Sequence, residues 1–358
     1  MNKRTLLKLL ALGGTASLGG GVAAGKVHAA GPYYEGPVSD HFDGKVFFNP
    51  GGAEPNGFRE AMRWKLNGER ATWPAAWPEP ATAAVPEARV DSDDLRVTMV
   101  GHATILIQTA GLNILTDPVY SDRASPFSFA GPKRINRPGI AFQSLPPIDL
   151  VLLTHNHYDH MDIDTLARLK ASHDPLVVTP LGNDVIVRQR VPTMRLHVQD
   201  WGDVLQVGPL VVHCEPTHHW SARGVFDRRK ALWSSFVVEG PAGRIYHIGD
   251  TGFHSGINYR DARRKHGGFR LACLPIGAYE PRWFMKPQHQ NPSEAVDGFT
   301  FLGTDFAIGH HWGTFQLTDE AVEAPRQDLF AALDAASILR DRFRPLVPGE
   351  AWAVPPTA

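Results

Sequence analysis

From Leu95 onward the chain runs in short apolar stretches, many of them β-branched, each closed by glycine, proline or a polar residue. Val97-Thr98-Met99-Val100, Thr104-Ile105-Leu106-Ile107 and Asn113-Ile114-Leu115-Thr116-Asp117-Pro118 have the length and punctuation of a hairpin-rich sheet. Ile148 to Leu153 reads as a short buried strand. Beyond it the pattern alternates. Asp164 to Leu169 and Asn183 to Arg190 read as helices, with a strand at Leu176 to Thr179 between them. Further strands fit Leu210 to Glu215, Ser234 to Val238, Arg244 to Ile248, Leu271 to Ile276 and Phe306 to Ile308. Helices fit Pro292 to Phe299 and Asp319 to Arg340. Strands in groups with helices interspersed predict two sheets covered by helices, an α/β protein built as a four-layer α/β/β/α sandwich over residues 95–350.

The stretch before Leu95 lacks this regularity. Residues 30–94 are dense in glycine, proline and tryptophan, as in Trp73-Pro74-Ala75-Ala76-Trp77-Pro78, which forbids a long helix or a central strand. One short helix is expected from Gly57 to Leu66, with Phe58, Met62 and Trp64 or Leu66 partly on one face. The segment reads as a strap across the main domain. Ahead of it stand a basic start (Met1-Asn2-Lys3-Arg4), an apolar stretch from Leu6 to Leu12 and a small-residue tail ending Val27-His28-Ala29. Residues 1–29 are therefore expected to be a signal peptide cleaved after Ala29, with an apolar run too short to span a bilayer. Lys3-Arg4-Thr5-Leu6-Leu7-Lys8 resembles a twin-arginine signal with lysine in the first basic place. The expected location is periplasmic, or associated with the outer side of the inner membrane.

Composition narrows the chemistry. The chain has 358 residues and a net charge of -1, so no global field argues for a nucleic-acid partner. Its 2 cysteines, Cys214 and Cys273, exclude a cysteine-cage metal site and leave a single disulfide open.

The candidate chemistry starts right after the Ile148 to Leu153 strand. Thr154-His155-Asn156-His157-Tyr158-Asp159-His160 packs imidazoles and a carboxylate together where a strand end lets side chains converge. A solvated histidine tract has no carboxylate at a fixed offset and does not follow a buried strand. The spacing suits a two-metal site. Three later strand ends offer further ligands: Pro216-Thr217-His218-His219-Trp220, Ile248-Gly249-Asp250-Thr251-Gly252 and Gly309-His310-His311-Trp312-Gly313. One histidine of each pair is expected to ligate, its neighbour to support it.

In this order the motifs resemble the metallo-β-lactamase superfamily. The resemblance implies that His155, His157 and His219 hold one zinc, that Asp159, His160 and His311 hold the other, and that Asp250 bridges them. Asp117 matches the superfamily's structural aspartate, and His218 and His310 become supporting neighbours. Gly101-His102-Ala103-Thr104, Arg123-Ala124-Ser125-Pro126, Gly131-Pro132-Lys133-Arg134, Leu145-Pro146-Pro147-Ile148-Asp149, the Pro275 to Lys286 segment and His311-Trp312-Gly313-Thr314-Phe315 resemble the N-acyl-phosphatidylethanolamine-hydrolysing phospholipase D family. The chain departs from it at the exported N-terminus and at His218. Gln288 and His289 would line the substrate pocket.

Two zinc ions (Zn2+) sharing a water lower its pKa toward neutrality, so the expected activity is attack of a metal-bridging hydroxide on the phosphorus of a phosphodiester lipid. Asp250 and His289 are the expected catalytic residues, His289 either orienting the phosphate or serving as a pocket wall. Arg123, Lys133, Arg134 and Arg137 form a basic stretch, read as a solvated loop or as headgroup steering. Trp220, Phe253, Trp283 and Phe284 are candidates for an apolar mouth, or for ordinary core. The expected partners are a phospholipid, a membrane surface and a second copy in a homodimer. A lactonase or small-molecule phosphodiesterase on the same scaffold, and a non-enzymatic metal- or lipid-binding envelope protein, are the competing readings.

Overall fold

A computed structural model describes residues 33–77, 85–91 and 93–356; the expected signal peptide and its cleavage site lie outside these residues. Sheet one comprises β1 (Leu95–Gly101), β2 (Thr104–Thr109), β3 (Leu112–Thr116), β4 (Leu150–Leu152), β5 (Leu176–Pro180) and β6 (Arg195–Gln199). Sheet two comprises β7 (Val204–Val207), β8 (Leu210–Glu215), β9 (Ser235–Gly240), β10 (Gly243–His247), β11 (Phe269–Pro275), β12 (Thr304–His310) and β13 (Phe343–Arg344), while β14 (Ala351–Ala353) returns to the edge of sheet one. The orders are β14-β1-β2-β3-β4-β5-β6 and β13-β12-β11-β10-β9-β8-β7. Each sheet is antiparallel at one side and parallel at the other, parallel from β3 to β6 and from β10 to β13.

Alternation along the strands builds the layers. Val97, Met99, Ile105, Ile107, Ile114, Leu150 and Leu152 face Leu210, Val212, Phe236, Val238 and Leu271 between the sheets. Their alternates Leu106, Leu115, Val151 and Val177 turn outward onto α2 (Ile163–Ser172) and α3 (Asn183–Arg190), after α1 (Phe58–Asn67) earlier in the chain. The outer face of sheet two packs on α4 (Ile257–His266), α6 (Pro292–Leu302) and α7 (Ala324–Ala335), with the short α5 (Arg282–Met285) before α6. A strand buried on both faces reads as a continuous apolar run, as β11 does from Leu271 onward. The four layers of the expected sandwich are present.

Several boundaries differ from expectation. The helix expected from Asp319 to Arg340 spans only Ala324–Ala335. Pro325 fits only the first turn of a helix. Glu320 is committed to a loop, accepting the backbone N–H of Ala278 (2.7 Å) and Glu280 (3.1 Å), and Ser337 turns the chain at φ 56°. α4 has no apolar stripe and buries Tyr259, Ala262 and His266. The expected helix from Gly57 is α1, yet Phe58, Met62 and Leu66 are exposed. Trp64 packs instead, stacking on Phe284 and donating to Asp319 Oδ2 (2.7 Å). Within residues 33–77, Phe42 and Phe47 pack with Leu232 and Trp233. Asn49 donates to the His219 carbonyl (2.9 Å) and accepts from Trp233 Nε1 (2.9 Å). Cys214 and Cys273 are free and buried in the core between the sheets.

Candidate metal centre

The candidate ligands sit at the C-terminal ends of strands. β4 leads into His155–His160, β8 into His219, β10 into Asp250 and β12 into His311, while β3 delivers Asp117. The 155–160 segment closes quickly because Asp162 caps α2, accepting from the N–H groups of Asp164 and Thr165. Half-buried Arg223 clamps it, donating to the carbonyls of Asn156 (3.0 Å) and Met161 (2.7 Å). Gly249 turns at φ 65°, where a Cβ would lie 2.9 Å from the Thr154 side chain. His102, Asp117 and His311 also hold positive φ (58°, 34° and 64°). Such backbones cost about 1–3 kcal/mol each and concentrate at functional sites.

The hydrogen bonds fix which ring nitrogen faces inward. His155 Nδ1 donates to Thr154 Oγ1 (2.9 Å), His160 Nδ1 to Asp117 Oδ2 (2.8 Å) and His219 Nδ1 to the Gln288 carbonyl (3.0 Å). With Nδ1 protonated, Nε2 of each ring aims a lone pair into the site. His157 Nδ1 lies 2.9 Å from His155 Nε2 and 3.2 Å from His219 Nε2. Beside this trio, Asp159 Oδ2 stands 3.6 Å from His160 Nε2 and 3.1 Å from His311 Nε2. Asp250 Oδ2 stands 3.2 Å from His160 Nε2 and 3.1 Å from His311 Nε2, and also 4.0 Å from His155 Nε2 and 3.7 Å from His219 Nε2. Ligands about 2.0–2.1 Å from one tetrahedral ion stand about 3.3 Å apart. Both groups have that spacing, and Asp250 lies between them. His160 Nε2 and Asp250 Oδ1 are buried without a hydrogen-bond partner, which a cation would supply. The residues fit a pair of divalent ions.

Protonation follows the same geometry. Burial, together with neighbouring imidazoles, pushes His157 down to about 3, and burial pushes His219 down to about 4. Burial also opposes charge on His311 and His160, but the carboxylates around them win, raising His311 to about 9 and His160 well above its usual value. Asp159 and Asp250 are held well below the carboxylate range, since the imidazoles outweigh their burial. Without metal, protons therefore occupy part of the second group, and an incoming ion displaces them.

Other candidates divide. Asp117 accepts from Thr154 N (2.7 Å), Thr154 Oγ1 (2.8 Å) and His160. Gln288 contributes its carbonyl to His219, and with His289 lines a cavity of about 760 Å³. One ligand atom of His289 lies within 4.8 Å of those of His219 and Asp250. His218 instead faces the strap, where a Cβ on Gly52 would lie 3.2 Å from its ring, and stands 4.3 Å from the His254 ring; His310 packs against His247 (5.3 Å), both its ring nitrogens without a hydrogen-bond partner among the described residues. Two residues carried no signal as ligand supports. Arg223 is one. The other is His102, whose Nε2 lies 3.0 Å from Asp159 Oδ2 and whose pKa falls to about 3 through burial. Trp220 and Phe284 line the cavity, as do Phe58, Trp64, Val225, Met285 and Leu317. Phe253 packs against sheet two, and Trp283 lies 4.8 Å below the Arg63 guanidinium. Arg123 and Arg134 spend their guanidinium groups on loop carbonyls. Among the described residues, Arg228 is the guanidinium that lines the cavity.

Residues 112–312 match the family described as "Beta-lactamase superfamily domain". N-acyl-phosphatidylethanolamine-hydrolyzing phospholipase D 1 of Caenorhabditis elegans is 37% identical over 289 residues, covering 75% of this chain and 80% of that protein. The chain belongs to the metallo-β-lactamase superfamily, in the family of N-acyl-phosphatidylethanolamine-hydrolysing phospholipases D. A mitochondrial member from Saccharomyces cerevisiae is 35% identical over 237 residues, 65% of this chain and 50% of its own length. The metallo hydrolase Igni18 of the archaeon Ignicoccus hospitalis shares the fold at a TM-score of 0.54 and 18% identity, over 73% of this chain and 98% of that one.

Proposed function

We propose that this metal-dependent hydrolase of the metallo-β-lactamase superfamily is a dinuclear zinc phosphodiesterase of phospholipase D type, acting on N-acyl-phosphatidylethanolamine-like lipids. The observation that carries the reading is the place of Asp250 Oδ2, within 4.0 Å of four imidazoles drawn from both ligand groups. When bound, the two ions would lower the pKa of a shared water and withdraw charge from the phosphate oxygens. The hydroxyl of water adds at phosphorus, the bond from phosphorus to the acylethanolamine oxygen breaks, and that oxygen takes up the water's other proton, giving phosphatidic acid and an N-acylethanolamine.

The chain's own residues supply position. Asp250 and Asp159 are fixed by imidazoles on two sides. His289 is held neutral by burial, so it meets the phosphate as an orienting N–H rather than as a second cation. Arg228 stands at the cavity wall over the Trp220 ring (4.6 Å), its Nη2 donating to the Pro55 (2.9 Å) and Asn56 (2.8 Å) carbonyls, and adds a positive field toward the phosphodiester. The apolar wall formed by Phe58, Trp64, Phe284 and Met285 suits acyl chains. Phe58, Val225 and Phe226 are 77%, 86% and 79% exposed, and Phe58 and Val225 also line the cavity, so membrane contact there would feed lipid straight to the site. The N-terminal sequence supports an exported location, which cell fractionation tests.

The test is a product-resolved lipid assay of zinc-loaded wild type against Asp250→Asn. Release of an N-acylethanolamine by wild type alone is expected. Activity surviving in Asp250→Asn contradicts the bridged pair; turnover of lactones but no phosphodiester by wild type contradicts the substrate.

A further inference from the structure

A second cluster of ligand-type side chains lies on β8, away from the centre described above. His213 and Glu215 are two residues apart and so project from one face. It is the face opposite Val212 and Cys214, which fill the core between the sheets. The end of α4 reaches this face, and its last residue, His266, places Nε2 2.9 Å from Glu215 Oε1. The rings of His213 and His266 lie 4.8 Å apart at 70°. One ligand atom from each of the three residues lies within 4.8 Å of the others. The Glu215 and His266 side chains are 8% and 5% exposed, and both ring nitrogens of His213 are buried without a hydrogen-bond partner.

We propose that His213, Glu215 and His266 form a separate divalent-metal site for a zinc-class ion, with water completing the coordination. Two imidazoles and a carboxylate are a zinc donor set that leaves a fourth position open. Burial and the neighbouring His266 lower the pKa of His213, keeping it in the neutral form that coordinates. Two further groups face the cluster. Glu239 Oε2 on β9 is 4.0 Å from His213 Nε2, its carboxylate paired with the Arg244 guanidinium (3.2 and 3.1 Å). Lys265 Nζ, 2.6 Å from Glu215 Oε1, is the competitor; its side chain is 47% exposed, so its flexible stem swings into solvent when an ion arrives. An ion here would staple β8, four residues before His219, to the C-terminal end of α4.

Equilibrium dialysis of the full chain against zinc, with bound metal counted by atomic emission, tests this. Wild type should hold one more equivalent than His213→Ala when the catalytic ligands of both are saturated. Lys265→Met removes a competing charge and should tighten that extra equivalent by about tenfold or more. An extra equivalent that survives in His213→Ala is adventitious binding elsewhere and overturns the proposal, as does equal stoichiometry in the two proteins. If His213→Ala fails to fold, the half-exposed Lys265→Met decides alone: an extra equivalent whose affinity ignores that change refutes the site.

Discussion

Asp117 gathers three short hydrogen bonds in a fully buried position: Thr154 N to Oδ1, and Thr154 Oγ1 and His160 Nδ1 to Oδ2. Asp117→Asn keeps the volume but exchanges one acceptor oxygen for an N–H donor. If the amide oxygen stays with Thr154 N, the new donor faces the His160 Nδ1 proton. His160 must then move its proton to Nε2, the atom aimed at the metal. If the amide flips, a donor faces Thr154 N–H instead. Either arrangement loses one charge-assisted bond, about 1.5–3 kcal/mol of stability. Loss of such a supporting partner typically costs 10–100-fold in metal affinity, about 1.4–2.8 kcal/mol. Competition with a chromophoric chelator measures the affinity and thermal unfolding the stability. Activity should return at raised zinc, because every ligand is still present. An Asp117→Asn protein that binds both equivalents as tightly as wild type would refute the tautomer argument.

Three further outcomes are expected. Phe226→Ser, outside the cavity lining, should slow turnover of vesicle-bound lipid about fivefold or more while sparing dispersed short-chain substrate, since a Phe ring buried in lipid is worth about 1.5–3 kcal/mol; equal losses on both substrates contradict the membrane face. Gly277→Ala places a Cβ 2.1 Å from the His311 carbonyl, so it should destabilise by about 1–3 kcal/mol and weaken metal retention, read by melting and metal count; an unchanged melt and metal count contradict this. His41 is buried, which opposes its charge, but Asp200 Oδ1 (2.8 Å) and Asp40 Oδ1 (2.6 Å) outweigh this and raise its pKa. A raised folded pKa gives stability that is full below about 6.5 and is lost as pH rises through the folded value. Protection of residues 39–49 from hydrogen exchange should therefore fall with rising pH in wild type but hardly respond in His41→Asn; identical pH responses contradict this.

The sandwich was legible where burial is two-sided, because β4, β11 and β12 carry apolar runs, those of β4 and β12 leading into histidines. It was illegible at the edges. β6 is polar at alternate positions, β7 leaves Val204 and Gln206 exposed, and β13 and β14 are too short for a period to register. α4 escaped because Ile257-Asn258-Tyr259-Arg260-Asp261-Ala262-Arg263-Arg264-Lys265-His266 rests on few buried side chains. Within the centre, residue types revealed the candidate ligands but not their supports. His102 looks like any strand-end histidine until the fold brings it to Asp159, and Gln288 acts on His219 through a backbone carbonyl that its residue type cannot advertise. The paired histidines show the same limit: His218 and His219 are neighbours in sequence, yet strand direction sends one ring toward the strap and the other toward Asp250.

The central claim is hydrolysis of a lipid phosphodiester at phosphorus by a site built around Asp250. Turnover of N-acyl-phosphatidylethanolamine in oxygen-18-enriched water, with mass analysis of both products, tests it most directly. The account predicts label in the phosphate of phosphatidic acid and none in the N-acylethanolamine. Label in the alcohol, or release of a labelled fatty acid instead, would contradict it.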